Sequence, residues 1–475
     1  MAGIDLAAAH RICSIQRMNQ QISLSRSLRS RHVTMISVGG IIGAGLFVGS
    51  SAAIAVIGPA VICSYAIAGL LIFLSMRMLG ELALANPETG FFTDYARKVL
   101  GHGWGFVGGW LYWYFWIVAV AVEALAGAII LHDQWLALPV WAIGLILLSS
   151  LTFVNLLSAR SYGEFEFWFS SIKVAAIIAF IILTAGHVFG LTSGSGAGFS
   201  NLVRFGGFAP FGAISVLAGV ATVIFSLTGA EITTVAAVES REPARAIASL
   251  TTTLTLRVLL FYVLSMFLIL CTVAWNTIKP GTSPFVAALT QIGIPGAALI
   301  MNMVVLTAVL SCLNSGLYVT SRVLFALAAH GDAPQILVAL NRRRVPARSI
   351  LTGTAFGYAA LIASVLSPTG VFSFLVNASG AAMLILYFII GVAQIRHRSI
   401  MTSAEIAALP VKIWLFPWLS YATQAGIVAV LIAMAFVPGL ASQLYTTMIL
   451  LAFLLLAWFA VRRTSPRVAG SLPNR

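Results

Sequence analysis

Runs of apolar residues, each 18 or more long and nearly free of charge, recur along almost the whole of this 475-residue chain. At the helical rise of 1.5 Å per residue, such a run is what a helix needs to cross a hydrocarbon layer of about 30 Å. Only 8% of the residues are charged and 60% are hydrophobic. A water-soluble surface would carry roughly a quarter charged residues. The sequence therefore predicts an all-α polytopic membrane protein.

Twelve spans are expected, at 33–56, 60–80, 104–131, 136–157, 165–187, 211–236, 254–275, 297–328, 349–367, 371–394, 412–435 and 440–461. The net charge of +14 is not a nucleic-acid signal here, because most of the basic residues sit in the short segments between spans and in the tails. With the N-terminus inside, Arg97, Lys98, Arg160, Arg241, Arg245, Arg342, Arg343, Arg344, Arg348, Arg396, Arg398, Arg462 and Arg463 all fall on one side, and the other keeps only Arg204 and Lys279. An excess of that kind marks the cytoplasmic face, so both termini are expected there. Residues 1–31 read as a polar N-terminal tail without the apolar core of a cleavable signal. A membrane domain follows over 32–461, and 462–475 form a C-terminal tail. Residues 77–103 are expected near the inner surface, 187–210 as an external Gly/Ser-rich loop, and 280–295 as a short external helix between prolines. Cys13, Cys63, Cys271 and Cys312 show no paired or metal-ligand spacing. No cofactor or metal is expected, and three of the thiols read as core residues.

Polar groups held at bilayer depth are the first functional candidates, since each costs free energy to bury. Lys173 lies in span five, followed by two turns of apolar residues. It either snorkels toward the inner surface or is a buried amine that loads and releases a proton. Glu123 in span three and Glu231 in span six either hydrogen-bond between helices or face a wet cavity. Arg257 in span seven reads as snorkelling or as the partner of a gating carboxylate. His32, His102, His132 and His397 flank spans and carry no expected chemistry, and the aromatic run 112–116 reads as packing.

Span one is crowded with glycine in "GGIIGAGLFVG" (39–49), and span six carries "FSLTGAE" (225–231). Glycine is costly inside a helix. Two uses account for it. Small residues four apart, as at Gly39–Gly43 and Gly45–Gly49, let helices pack closely. Alternatively the helix stops and restarts, which exposes N–H groups that suit a carboxylate and carbonyls that suit an ammonium. Two breaks five spans apart suggest an inverted repeat, with one half over about 33–187, the other over about 211–394, and two additional helices at 412–435 and 440–461.

"RHVTMISVGGIIGAGLFVGSS" (31–51), "PETGFFTDYARKVLG" (87–101), "FSLTGAEITTVAAVESREPARAI" (225–247) and "AVLSCLNSGLYVTSRVLFALA" (308–328) resemble the amino acid/polyamine/organocation transporter superfamily. Within it they are similar to the bacterial amino acid transporter family, and "GAEITTVAAVESREP" resembles its gamma-aminobutyrate permease branch. The resemblance covers essentially the whole chain. It implies the LeuT-type 5+5 fold with discontinuous helices 1 and 6, and proton-coupled uptake of an amino acid across the bacterial cytoplasmic membrane. It also implies that the substrate carboxylate meets the backbone at Gly43, Ala44 and Gly45, and that the amine meets carbonyls near Ile41, Phe225, Ser226 and Thr228, beside the break at Gly229. Lys173 matches the lysine that stands where sodium sits in sodium-driven relatives, while Glu123 and Glu231 match acidic positions of the family. The expected partners are a small amino acid, a proton and the lipid bilayer, with no nucleic acid and no obligate protein. Gamma-aminobutyrate is the favoured substrate, with proline or alanine next. An amine antiporter and a sensor that binds without cycling are the rival readings, and no nucleophile–base set points to an enzyme.

Overall fold

Proline and glycine punctuation divides the apolar runs into helices. The computed structural model describes residues 35, 40–86, 92–157, 159–191, 198–232 and 255–464. The predicted N-terminal tail, residues 465–475 of the predicted C-terminal tail, residues 233–254 at the end of span six and beyond it, and the tip of the 187–210 loop lie outside the described residues, while 462–464 continue the last helix. A π-helical turn (Gly45–Gly49) runs into α1 (Ser50–Ile57), and Pro59 turns the chain into α2 (Val61–Ala85). Then come α3 (Phe92–Leu100), α4 (His102–Gln134), α5 (Val140–Leu157), α6 (Ala159–Val188) and α7 (Gly212–Leu227). The remainder is α8 (Thr255–Thr272), α9 (Pro284–Ile292), α10 (Ala297–Ala329), α11 (Ala347–Ala363), α12 (Pro368–Ile400), α13 (Ser403–Ala408), α14 (Trp418–Met434) and α15 (Pro438–Thr464). Local chemistry sets several starts. Pro368 opens α12 behind Ser367, whose hydroxyl accepts from the Gly370 N–H, and Thr402 with Glu405 forms a capping box on α13.

Among the described residues, seven helical stretches are long and apolar enough to cross a membrane, and three shorter apolar helices accompany them. At 33 residues, α4 and α10 are each about 50 Å long. They pack on one another through the middle of the molecule, and α12 packs on α4. In contrast, α5, α6 and α15 show apolar side chains outward. Phe153, Trp168 and Leu456 are 65%, 66% and 69% exposed, as suits helices facing lipid tails. The predicted short helix between prolines is α9, and part of the predicted surface segment is α3.

One end of the bundle is fastened by charge. Glu81 on α2 accepts from Gln394 and Arg398 of α12, each at 2.9 Å, and from the Ile413 N–H at 3.0 Å. Arg77 donates to the Lys412 carbonyl and lies over the Trp414 ring. Buried Asp332, just beyond α10, pairs with Arg97 of α3 and with His102 at 2.7 Å. These ties join the α14 segment and α3 to the central helices.

Candidate functional site

At Ile42 and Gly43 the first helical stretch bends, and helix resumes at Ala44. The bend exposes backbone polar groups that need partners. Other helices supply them. The Ala44 N–H donates to both oxygens of the Glu123 carboxylate, at 3.0 and 3.1 Å. The Tyr262 hydroxyl donates to the Ile41 carbonyl at 2.8 Å and the Ser226 hydroxyl to the Gly45 carbonyl at 2.6 Å. The Cys312 thiol lies 3.7 Å from the Gly40 carbonyl. Gly43 is needed for closeness: a Cβ there would sit 2.6 Å from Glu123 Oε1 and 2.7 Å from Cys312 Sγ.

The end of α7 faces this bend. Helix α7 ends at Leu227, where Thr228 swings to ψ 146°, and Gly229 has φ +130°. Only glycine takes that conformation readily. Any Cβ at Gly229 would also lie 2.5 Å from the Gly40 carbonyl oxygen. Here the free groups are met nearby. Both the N–H and the hydroxyl of Thr228 donate to the Ile224 carbonyl, at 2.9 and 2.8 Å. The Gly229 N–H donates to Glu231 Oε2 at 3.1 Å, and the Tyr387 hydroxyl reaches the same oxygen at 3.3 Å.

Between the two lies a small cavity. Backbone at Gly40, Ile41, Gly43 and Gly45 forms one wall, Phe225 and Thr228 another, and Phe115, Trp116, Ala119, Glu123 and Cys312 close it. The void is ≈ 10 Å³, room for about one water. A larger guest needs the aromatic wall to move, where Phe115 stacks against Phe225 with ring centres 6.0 Å apart. The cavity offers an N–H of positive helix-end polarity, carbonyl oxygens and one carboxylate, a set suited to a small zwitterion.

Of the residues singled out in sequence, Gly43, Gly45, Ile41, Phe225, Thr228 and Glu123 line this cavity, while Ala44 and Ser226 contribute at its edge. Gly229 and Glu231 stand one step away. Lys173 is fully buried on α6 behind the cavity, with its Nζ 3.8 Å from Glu166 Oε1. The Arg257 backbone belongs to α8, but its side chain lies outside the described residues. Sequence reasoning missed Glu166, assigned Phe115 and Trp116 to packing, and treated Cys312 as core. Among the described residues no group of three or more His, Cys, Asp or Glu is placed to hold a metal ion.

Comparison with known proteins agrees in scale and type. The amino acid permease family model matches residues 32–469. The gamma-aminobutyric acid permease of Bacillus subtilis (strain 168) is 45% identical over 458 residues, covering 96% of this chain and 98% of that protein. The gamma-aminobutyric acid permease of Escherichia coli (strain K12) is 42% identical, covering 90% and 92%. Among solved structures, a manganese transporter of Eremococcus coleocola aligns over 92% of this chain and 95% of its own, with a TM-score of 0.54. At 13% identity that likeness is one of fold alone.

Proposed function

The chain belongs to the amino acid permease family, is a multi-pass membrane transporter rather than an enzyme, and from this premise we propose that it carries γ-aminobutyrate inward together with a proton. In this reading the membrane domain has twelve spans with both termini in the cytoplasm. Spans one and six are discontinuous and head two inverted halves, over about 33–187 and 211–394, and a bundle of spans 1, 2, 6 and 7 rocks against a scaffold of spans 3, 4, 8 and 9 around the cavity.

The observation that carries the proposal is the grip of the Ala44 N–H on the carboxylate of Glu123. A helix start that holds a side-chain carboxylate in this geometry has the chemistry to hold a substrate's carboxylate in the same place. The substrate would replace Glu123 there, along Gly43, Ala44 and Gly45. Its ammonium would meet the carbonyls of Ile41, Phe225, Ser226 and Thr228, with Gly229 permitting the second interruption. Glu123 then acts as the gating carboxylate. Lys173 is the proton-coupling residue, and Glu231 holds the second interruption in shape. Arg257 completes the set as a pairing residue near the inner surface. The likeness to two gamma-aminobutyric acid permeases favours a γ-amino acid over proline or alanine. A zwitterion moving with one proton gains roughly 2.3 kcal/mol per 100 mV of inward-negative potential.

The test is uptake into proteoliposomes of a panel of amino acids, with and without an imposed pH gradient. We expect γ-aminobutyrate to accumulate, the inward proton gradient to drive it, and Lys173→Ala to abolish the response to the gradient. Preference for proline or alanine would overturn the substrate. Transport that ignores pH but requires amine on the far side would identify an exchanger, and binding without counterflow a sensor. Undiminished gradient-driven accumulation by Lys173→Ala would remove the lysine from the mechanism.

A further inference from the structure

Seven residues before Lys173 on α6 stands Glu166, a carboxylate with no role in the mechanism so far. Both side chains are 0% exposed. Glu166, Ser170 and Lys173 follow one another at spacings of four and three, which puts them on one face of the helix. Glu166 Oε1 receives the Ser170 hydroxyl at 3.1 Å and the Ser311 hydroxyl from α10, and Lys173 Nζ lies 3.8 Å away. Ser170 Oγ is also 2.8 Å from the carbonyl of Met35, in the first span ahead of the bend.

A serine hydroxyl has one proton to donate, and here two acceptors compete for it. When Glu166 is ionised, Ser170 either serves the carboxylate and leaves the Met35 carbonyl, or serves Met35 and turns a lone pair toward a negative oxygen. Protonation of Glu166 removes the conflict. Its Oε1–H then donates to Ser170 Oγ, Ser170 donates to Met35, and Ser311 still donates to the carboxyl. The proton state of the carboxyl thereby sets whether Ser170 holds the first span.

We propose that the exchanging proton resides on Glu166, with Lys173 as its lasting counter-charge, and that Ser170 transmits the protonation state of Glu166 to the first span at Met35. The proposal rests on the proton-coupled reading above and changes one part of it, moving the travelling proton from Lys173 to its neighbour and leaving Lys173 in the coupling pair as the fixed charge. In each cycle a proton from water on the proton-rich side joins Glu166 Oε1, so that the pair passes from net zero to one positive charge. The proton leaves to water on the opposite side. Other titratable groups face the pair: Glu123 from α4 and Cys312 from α10 both interact electrostatically with Lys173, and Tyr262 from α8 adjoins Glu123 and Cys312. Glu123 already has the Ala44 N–H as its partner, beyond the bend, whereas Glu166 reaches Met35 ahead of the bend through one hydroxyl.

The test uses full-length protein in proteoliposomes with γ-aminobutyrate, comparing the rate of proton-driven accumulation with the rate of counterflow at equal pH. A coupling element carries about 1–3 kcal/mol, or about 5–150-fold, so Glu166→Gln should lower the ratio of the two rates by about tenfold or more. Ser170→Ala should lower it severalfold, and Ser170→Thr, which keeps the hydroxyl, should restore it. Should Glu166→Gln fail to reach the membrane, the Ser170 pair decides alone. A wild-type ratio in Glu166→Gln, or in Ser170→Ala, overturns this proposal while leaving proton coupling standing. Wild-type protein indifferent to the pH gradient would remove both.

Discussion

The bend at Ile42 and Gly43 and the end of α7, the first and second of the proposed interruptions, differ in where their partners come from. At the first, the Gly43 carbonyl is met locally by the Leu46 and Phe47 N–H groups, but four other backbone groups from Gly40 to Gly45 are met from distant helices by Glu123, Ser226, Tyr262 and Cys312. At the second, Thr228 and Gly229 are met directly by Ile224 and Glu231, within four residues along the chain, and the distant Tyr387 enters one step removed, through Glu231. An end closed mainly from its own chain depends less on what its neighbours do. An end closed by tertiary partners changes hands when those partners move. On the proposed reading the first interruption exchanges ligands and the second holds a frame, so damage to them should show up in different measurements.

The largest effect belongs to the frame. Gly229→Ala places a Cβ 2.5 Å from the Gly40 backbone oxygen at φ +130°, and backbone against backbone has nowhere to yield. Strain of about 1–3 kcal/mol from the left-handed conformation adds to about 1–3 kcal/mol of overlap. The expected outcome is a steep fall in the thermal midpoint of the purified protein, with transport lost in parallel. A near-normal midpoint would mean that the second interruption is not a rigid frame.

Gly43→Leu should come next, and differently. Two of its three nearest obstacles, Glu123 Oε1 and Cys312 Sγ, are side-chain ends that can shift and only Cys312 Cβ is tied to backbone, while the added side chain overfills a void of ≈ 10 Å³. Substrate binding should weaken by about 100-fold or more, roughly 2.7 kcal/mol, with a smaller fall in thermal midpoint than Gly229→Ala causes. Isothermal titration alongside thermal unfolding reads both. Equal loss of stability in the two variants would erase the distinction between the interruptions.

Much of this arrangement is legible in the sequence, because it is written in residue types that a membrane helix otherwise avoids. Glycine at 43, 45 and 229 and the ionisable groups Glu123, Lys173 and Glu231 stand out against an apolar background. Residues that look ordinary in such a helix stay hidden. Phe115, Trp116 and Cys312 read as packing because helical periodicity gives the face a residue occupies and not what that face meets. Glu166 is a different kind of omission. It lies one residue inside the expected start of span five, where a carboxylate passes for interfacial, yet its spacing to Ser170 and Lys173 was there to be read. Ser311, its partner from α10, carries no local signal at all, and neither does the anchoring of Glu81 by Arg398 and the Ile413 N–H. Contacts between residues so far apart along the chain depend on how helices pack.

Glu123→Gln has the smallest expected effect and divides the two interruptions most sharply. If the substrate carboxylate binds at Ala44 as proposed, Glu123, a carboxylate on the same N–H, competes with it for that donor and repels it by like charge. Glutamine keeps an oxygen that can accept from Ala44 but removes the charge. Substrate affinity should therefore rise by up to about tenfold, since hydrogen bonds to charged groups differ from neutral ones by about 1 kcal/mol or more. The rise should be largest at higher pH, where an ionised Glu123 competes most, so the pH dependence of affinity should flatten. The opposite sign, a loss of about tenfold on the same scale, would mean that Glu123 holds the substrate's ammonium and that the first interruption does not receive the carboxylate. Glu231→Gln serves as the comparison: its carboxyl lies outside the cavity lining and caps its own chain at Gly229, so affinity should not tighten there. Tightening in both variants would point to a general loss of negative charge near the cavity as the cause, and the competition at Ala44 would lose its support.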